Sequence, residues 1–202
     1  MILALSSSTD FFSIALFTKE KEFVSELGFF DRKIQKTALP AIHSFLSENN
    51  LSLKDLTALA VDTGPGALTG LRIGIATVKT MAYAFNLPVY EASSLELMRW
   101  NFSENQGVMA GLDGKQGRVF AQIFYENNEK SVIFDIRMEK LLEMIEKEKI
   151  SHYIKIGNGF GETDEAHYPK ASNFIKVFGS PKNFSQIHPN YCRKSQAEEN
   201  KK

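Results

Sequence analysis

Asp62-Thr-Gly-Pro-Gly-Ala-Leu-Thr-Gly-Leu-Arg-Ile-Gly-Ile-Ala76 follows an apolar run, Leu56 to Val61, and opens a long apolar helical pattern that runs to Phe85. Strand, glycine-rich turn and helix in that order is the layout of many anion and nucleotide sites. Spacing decides which of them apply. A dinucleotide fingerprint needs G-x-G-x-x-G, and Gly64, Gly66 and Gly70 are one residue too widely spaced. A P-loop ends in Gly-Lys-Ser/Thr, and here Leu71 follows Gly70. Both standard phosphate loops are excluded. Gly64 and Gly66 permit unusual backbone angles around the rigid Pro65, and Thr69 is placed to cap the helix. Gly66, Gly70 and Gly74 recur every four residues, so in a helix they form one bare stripe that admits a second backbone. Arg72 lies in the first turn, where the helix dipole disfavours a cation. Either a carboxylate or a bound anion compensates it. Gly64, Gly66, Thr69, Gly70 and Arg72 are therefore the residues that would border an anion or nucleotide.

Composition bounds the function classes. The 202 residues suffice for one large domain or two small ones, and the 43% hydrophobic content supplies a core. Lys plus Arg and Asp plus Glu both number 24. A stand-alone nucleic-acid binder is normally basic, so direct tight RNA binding is not expected. A single cysteine, Cys192, excludes an internal disulfide and fits a reducing compartment. The start, Met-Ile-Leu-Ala-Leu5, has no basic lead and is too short for a signal sequence. No apolar run is long enough for a membrane span. A cytoplasmic protein is expected.

Working outward, Ile2–Leu5, Phe12–Phe17 and Phe23–Phe29 read as an antiparallel meander. Ile34–Leu46 reads as a helix with Ile34, Ala38, Leu39, Ile42, Phe45 and Leu46 on one broad face. Pro40 means that it begins near Thr37 or kinks. Leu56–Asp62, Leu68–Phe85 and Pro88–Glu91 follow as strand, helix and strand, and Ser94 caps a helix through Trp100. Residues 1–102 thus make one α/β lobe with two prominent helices. Beyond the polar break Asn101–Gly107, residues 103–193 repeat the order in degenerate form. Val108–Leu112 and Arg118–Tyr125 flank the hairpin turn Asp113–Gly117; then come strand Val132–Asp135, helix Met138–Lys147, strand Tyr153–Ile156, and a last strand Phe174–Phe178. Residues 194–202 read as a disordered tail.

The helix at Leu68–Phe85 carries Leu71, Ile73, Ile75, Val78, Met81, Tyr83 and Phe85 on more than one face, and after Arg72 its only charge is Lys79. A surface helix shows a polar face. This one needs two covers: its own sheet, and either the preceding helix or a partner protein. Catalytic signals are sparse. His43, His152, His167 and His188 have no H-x-x-x-H or H-E-x-x-H spacing, so no metal site is expected. Ser6-Ser7-Ser8-Thr9 lacks the G-x-S-x-G elbow of a hydrolase. Asp62 suits a base, a ligand or a cap of the glycine turn. Lys115 and Arg118 either meet phosphate or are solvated.

Three stretches carry a resemblance: Ile2-Leu-Ala-Leu-Ser-Ser-Ser-Thr9, Asp62 through Thr77, and Ser93-Ser-Leu-Glu96. With them the chain resembles the TsaB family, also called YeaZ or glycoprotease-like. Asp113-Gly-Lys115 with Val119-Phe120, Gly157-Asn-Gly159, and Pro189-Asn-Tyr-Cys-Arg193 with Ala197 match later landmarks more loosely. The resemblance implies an actin-like ATPase (ribonuclease H-like) fold of two related lobes with mixed sheets. It implies a non-catalytic partner of TsaD in threonylcarbamoyl transfer to adenosine 37 of tRNA. TsaE joins the ternary complex, tRNA is met only through the complex, and the chain is a homodimer when alone. No cofactor is held tightly, and ATP or ADP sits, if anywhere, at the joint with TsaD. Family members pair through the first lobe's helices, here about 34–47 and 68–86. That makes Leu39, Ile42, Leu71, Gly74, Ile75, Val78 and Met81 the candidate pairing residues, with no catalytic and no metal residue.

Departures point the same way. Relatives usually carry Asp where this chain has Ser6, and a hydroxyl there does not attract a divalent ion as a carboxylate does. A His-Ser-Glu before Leu-Leu-Pro is replaced by Ile34-Gln35-Lys36 before Leu39-Pro40. TsaD's metal-binding histidine pair is missing. The alternatives are a weak actin-like ATPase or phosphotransferase, a peptidase acting on TsaD, or a self-sufficient regulatory homodimer. On the pairing reading, Gly74→Arg abolishes pairing with TsaD and leaves the chain folded.

Overall fold

The computed structural model describes residues 1–103, 106–127 and 129–192. The expected tail at 194–202 lies outside the described residues. β1 (Ile2–Ser6), β2 (Phe11–Phe17) and β3 (Phe23–Phe30) form the expected meander. Next come α1 (Ile34–Glu48), β4 (Ala58–Asp62), α2 (Leu68–Phe85), β5 (Val89–Ala92) and α3 (Ser94–Arg99). β4 runs parallel to β1 and β5 parallel to β4, so the sheet order is β3-β2-β1-β4-β5. α1 starts at Ile34 rather than Thr37, with Pro40 inside it; the exposed proline removes only one helical donor.

The second half repeats the plan. β6 (Val108–Lys115), β7 (Arg118–Phe124) and β8 (Phe134–Arg137) are an antiparallel meander, α4 (Met138–Lys147) follows, and β9 (Ile154–Ile156) returns parallel to β6. The order β8-β7-β6-β9 matches β3-β2-β1-β4 strand for strand. This is the expected α/β architecture, two related mixed sheets on the actin-like ATPase (ribonuclease H-like) plan.

Strand alternation explains which layer lies on which face. In β1 and β4 the large residues Leu3, Leu5, Leu59 and Val61 face one way and share a core with α1 and α2. Ile2, Ala4, Ala58 and Ala60 face the other way. The small side chains there admit Phe174, fully buried, on a 3-10 helix at Ala171–Lys176. The sequence suggested a strand for Phe174–Phe178. It cannot be one, because the segment lies across a sheet face and its Ala171 N–H donates to the Ser13 side chain at 2.9 Å. Residues 171–190, read from the sequence as part of the second lobe, instead cover the first sheet. Lys182 pairs with Val89, Ile187 is buried with Val78 and Met81, and Asn190 N–H donates to Thr63 O at 2.7 Å. α3 is the wedge between the sheets, with Leu97 in the first sheet's core and Leu95 and Met98 in the second's. Among the described residues no helix is long and apolar enough to cross a membrane.

The bare stripe on α2 meets a backbone, as its spacing requires, and that backbone is the chain's own. A Cβ on Gly66 would lie 2.1 Å from Ser8 O, one on Gly70 1.9 Å from Ser7 O, and one on Gly74 2.1 Å from Ser7 Oγ. α2 therefore seats directly on the turn between β1 and β2. Gly70→Ala is expected to lower unfolding stability by about 2 kcal/mol or more. Gly179→Ala, where an added Cβ has nothing within 4 Å, is expected to change it by less than about 0.5 kcal/mol. Urea unfolding of the two variants checks the contrast.

Candidate functional site

The end of β4 builds the most polar point of the interior. The register Leu5↔Val61 sets Ser6 of β1 beside Asp62 of β4. Asp62, Ser6, Ser8 and Ser94 are all buried. The Ser6 and Ser8 hydroxyls donate to Asp62 Oδ2 at 2.7 and 2.5 Å. The Ser94 hydroxyl and the Gly64 N–H reach Oδ1 at 2.6 and 2.8 Å. A buried carboxyl without such partners is costly; here both oxygens are served twice. Burial pushes Asp62 above the ordinary carboxylate range, against the pull of the bonds from Ser8, Ser94, Gly64 and Ser6. Of its three sequence readings, Asp62 takes the third and caps the glycine turn.

Ser6 stands where the resemblance expects a carboxylate, and the structure supplies one from the neighbouring strand. It is enclosed, however, and its lone pairs face hydroxyls and an amide of the same chain. Ser7 is buried as well and donates to Gly70 O at 2.9 Å. The hydroxyls of Ser6, Ser7 and Ser8 are all spent inside the chain.

The residues expected to border an anion divide: Gly64 and Gly70 are buried, Gly66 is half-buried, and Thr69 and Arg72 are exposed. Gly64 adopts φ 101°, which glycine tolerates. Ala67, not Thr69, precedes α2, and no side chain caps it. Its N–H donates to Ser8 O at 2.6 Å, so the serine turn takes the place of the cap and Thr69 is exposed. Among the described residues no carboxylate pairs with Arg72. Its Nε donates to Tyr191 Oη at 3.3 Å, and its guanidinium lies 5.7 Å from that ring's centre. An aromatic face and a hydroxyl meet the cation instead.

The second hairpin is charge-paired. Lys115 Nζ meets Asp113 Oδ2 at 2.7 Å, and Arg118 Nε meets Asp135 Oδ1 at 2.8 Å. Partial burial works to raise Asp113, but the Lys115 ammonium and amide outweigh it and hold the carboxyl below its usual value. The bond to Asp113 raises Lys115 in turn. One cluster escaped the spacing test. Glu162, Asp164 and His167 bring their ligand atoms within 4.8 Å of one another. His167 Nδ1 accepts the Gly157 N–H at 3.4 Å, and its Nε2 lies 3.8 Å from Glu162 Oε2 and 3.7 Å from Asp164 Oδ2.

The candidate pairing residues separate cleanly. Ile42, Leu71, Gly74, Ile75, Val78 and Met81 are buried in the chain's own core, and only Leu39 is exposed, at 63%. The expectation for those six is corrected. The second cover of α2 is α1 together with Phe184 and Ile187 of the returning chain. Gly74→Arg is likewise no interface probe, since even a Cβ there meets Ser7. What α1 and α2 present outward is Leu39, Leu68, Tyr83 at 74% exposure and Phe85. Tyr83 lies edge-on to Phe184 at 5.6 Å.

Comparison with known proteins adds an independent line. Residues 29–187 match the family model described as TsaD, tRNA N6-adenosine threonylcarbamoyltransferase. Among curated relatives, the tRNA threonylcarbamoyladenosine biosynthesis protein TsaB of Bacillus subtilis (strain 168) is 28% identical, covering 98% of this chain and 96% of that one. TsaB of Escherichia coli (strain K12) is 31% identical over 59% of this chain and 52% of that one. Among solved structures, a Pseudomonas aeruginosa protein described as similar to peptidase YeaZ aligns with TM-score 0.80 at 23% identity, covering 95% of this chain and 99% of that one. YeaZ from the same organism gives 0.75 at 22% identity, covering 94% and 99%. The resemblance read from the sequence is the one the comparisons return.

The serine turn yields a charge-swap prediction. Ser6→Asp sets a second carboxyl against Asp62 in a buried site, and a destabilisation of about 3 kcal/mol or more is expected. Asp62→Ala in the Ser6→Asp background leaves one carboxyl in the site and relieves the crowding, so the double variant is expected to be more stable than Ser6→Asp alone. A double-mutant cycle by urea unfolding checks the coupling.

Proposed function

This chain belongs to the TsaD, tRNA N6-adenosine threonylcarbamoyltransferase, family, and from that premise we propose that it acts in tRNA threonylcarbamoyladenosine biosynthesis as the non-catalytic partner of TsaD. Its role is to form a pairing surface for the transferase. In this reading TsaE joins the complex, and tRNA is engaged only through it. The chain pairs with itself when alone and works in the cytoplasm. ATP or ADP lies at the joint with TsaD rather than in a site of this chain.

The observation that carries the non-catalytic part is the enclosure of the serine turn. The one carboxyl at the place where an actin-like ATPase holds metal and water is shut away by three hydroxyls and an amide of the same protein. At the second hairpin, Lys115 and Arg118 are bound to carboxylates. Neither arrangement favours an incoming phosphate. The peptidase alternative gains no support from Ser6, Ser7 or Ser8, whose hydroxyls are buried donors. Support for pairing comes from the outward side of α1 and α2. Leu39, Leu68, Tyr83 and Phe85 are large apolar groups left exposed on two helices whose inner sides are fully packed. Exposed groups of this kind, aromatic ones above all, are what a protein interface buries.

The pairing surface is testable without disturbing the core. Leu39→Glu and Tyr83→Glu change exposed side chains and are expected to leave the circular dichroism spectrum unchanged. Each is expected to weaken association with TsaD by tenfold or more, about 1.4 kcal/mol, measured by titration calorimetry. Val132→Glu alters an equally exposed apolar residue of the second half and is expected to bind as the parent does. Unchanged association of both helix variants contradicts the proposed surface. ATP turnover or cleavage of TsaD by the purified chain, lost on Asp113→Ala, favours the enzymatic alternatives.

A further inference from the structure

The contacts around Asp62 do not balance without one more proton. Five close contacts tie the group together. Ser6 Oγ and Ser8 Oγ meet Oδ2 at 2.7 and 2.5 Å, and Gly64 N meets Oδ1 at 2.8 Å. Ser94 Oγ lies 2.6 Å from Oδ1 and 2.7 Å from Pro65 O. The protein groups bring four hydrogens: three hydroxyl and one amide. Ser6, Ser8 and Gly64 spend theirs on Asp62. Ser94 has a single hydrogen and two acceptors, a carboxyl oxygen and a peptide carbonyl that has nothing to give. If Asp62 is ionised, one of these two short O···O contacts sets lone pair against lone pair.

We propose that Asp62 is a neutral carboxylic acid in the folded chain at neutral pH, with its proton on Oδ1. That proton is donated to Ser94 Oγ, and the Ser94 hydrogen goes on to Pro65 O. All five contacts then hold a hydrogen. The proton so placed latches β4 to the start of α3 and to the turn that leads into α2. Burial, the leading influence on this carboxyl, acts in the same direction. Among the described residues no ionic partner opposes it, for the charged groups on the surrounding elements are engaged elsewhere. On β5, Glu91 pairs with Lys182. On α3, Glu96 pairs with Lys130 and Arg99 donates to Ser103 O. On α2, Arg72 is held by Tyr191 and Lys79 donates to Ile187 O. Beyond the serine turn, Asp10 faces Arg32, and β2 carries no titratable side chain.

The sign of the resulting pH dependence follows. The neutral form is favoured by folding, so the latch contributes fully below the ordinary aspartate value of 3.8 and is lost as pH rises through the higher folded value. The loss is at most about tenfold in the unfolding equilibrium per pH unit.

Carboxyl-13C-labelled aspartate in the full chain reads the state directly. At neutral pH one aspartate carboxyl is expected at the chemical shift of the protonated acid, and it is absent from Asp62→Asn. If Asp62→Asn does not fold, Ser94→Ala assigns the resonance, because it strips one hydroxyl from that carboxyl alone. Every aspartate carboxyl at the ionised position at neutral pH overturns the proposal. So does an advantage of the parent over Asp62→Asn that grows, rather than shrinks, as pH rises from acid to neutral.

Discussion

A carboxyl taken out of water must find hydrogen bonds within the protein, and much of this fold is arranged around that requirement at Asp62. Meeting it takes a residue from each of four places: Ser6 on β1, Ser8 in the following turn, Gly64 in the glycine turn and Ser94 at the start of α3. Those bonds hold the turn after β1 in place. The Ser8 and Ser7 carbonyls then lie against Gly66, just before α2, and Gly70, in its first turn, which leave room for them. A helix of eighteen residues is thus positioned without a capping side chain. The contacts of Gly70 and Gly74 with Ser7, and of the Ala67 N–H with Ser8 O, fix its first turns against the Asp62 cluster.

The serine turn and the outward sides of α1 and α2 differ in what they leave open. Here the carboxyl comes from the next strand and is sealed, and the glycines hold protein backbone. On the helices, by contrast, Leu39, Leu68, Tyr83 and Phe85 remain uncovered.

Much of the architecture was legible in the sequence, for physical reasons that differ by element. α2 and α4 were placed at Leu68–Phe85 and Met138–Lys147, the bounds that they have. One is apolar between a glycine turn and Asn86, and the other alternates charge and apolar groups at helical spacing. The doubled strand order was visible because each half begins with a meander. Phe174 misled, since an aromatic run has strand character whether it pairs or simply plugs a face lined with alanine. The pairing residues misled for a related reason. Leu71, Ile75, Val78 and Met81 seemed to outnumber their cover, but the cover arrives from Phe184 and Ile187, more than 100 residues later. The Asp62 cluster was unreadable as a unit because its members are 54 to 56 residues apart on one side and 32 on the other. Its only local signal was a row of hydroxyls ending one strand and an acid ending another, and the strand register that joins them belongs to the tertiary structure.

If the chain supports modification by pairing with TsaD and does no chemistry of its own, threonylcarbamoyladenosine formation on tRNA must depend on its presence. Reconstitution with TsaD and TsaE held constant, and this chain added or omitted, is the decisive measurement. Modification is expected to depend on the added chain, to saturate at a fixed ratio to TsaD, and to be undiminished by Asp113→Ala. Modification that proceeds at full rate without the chain, or that is lost with Asp113→Ala while pairing persists, contradicts it.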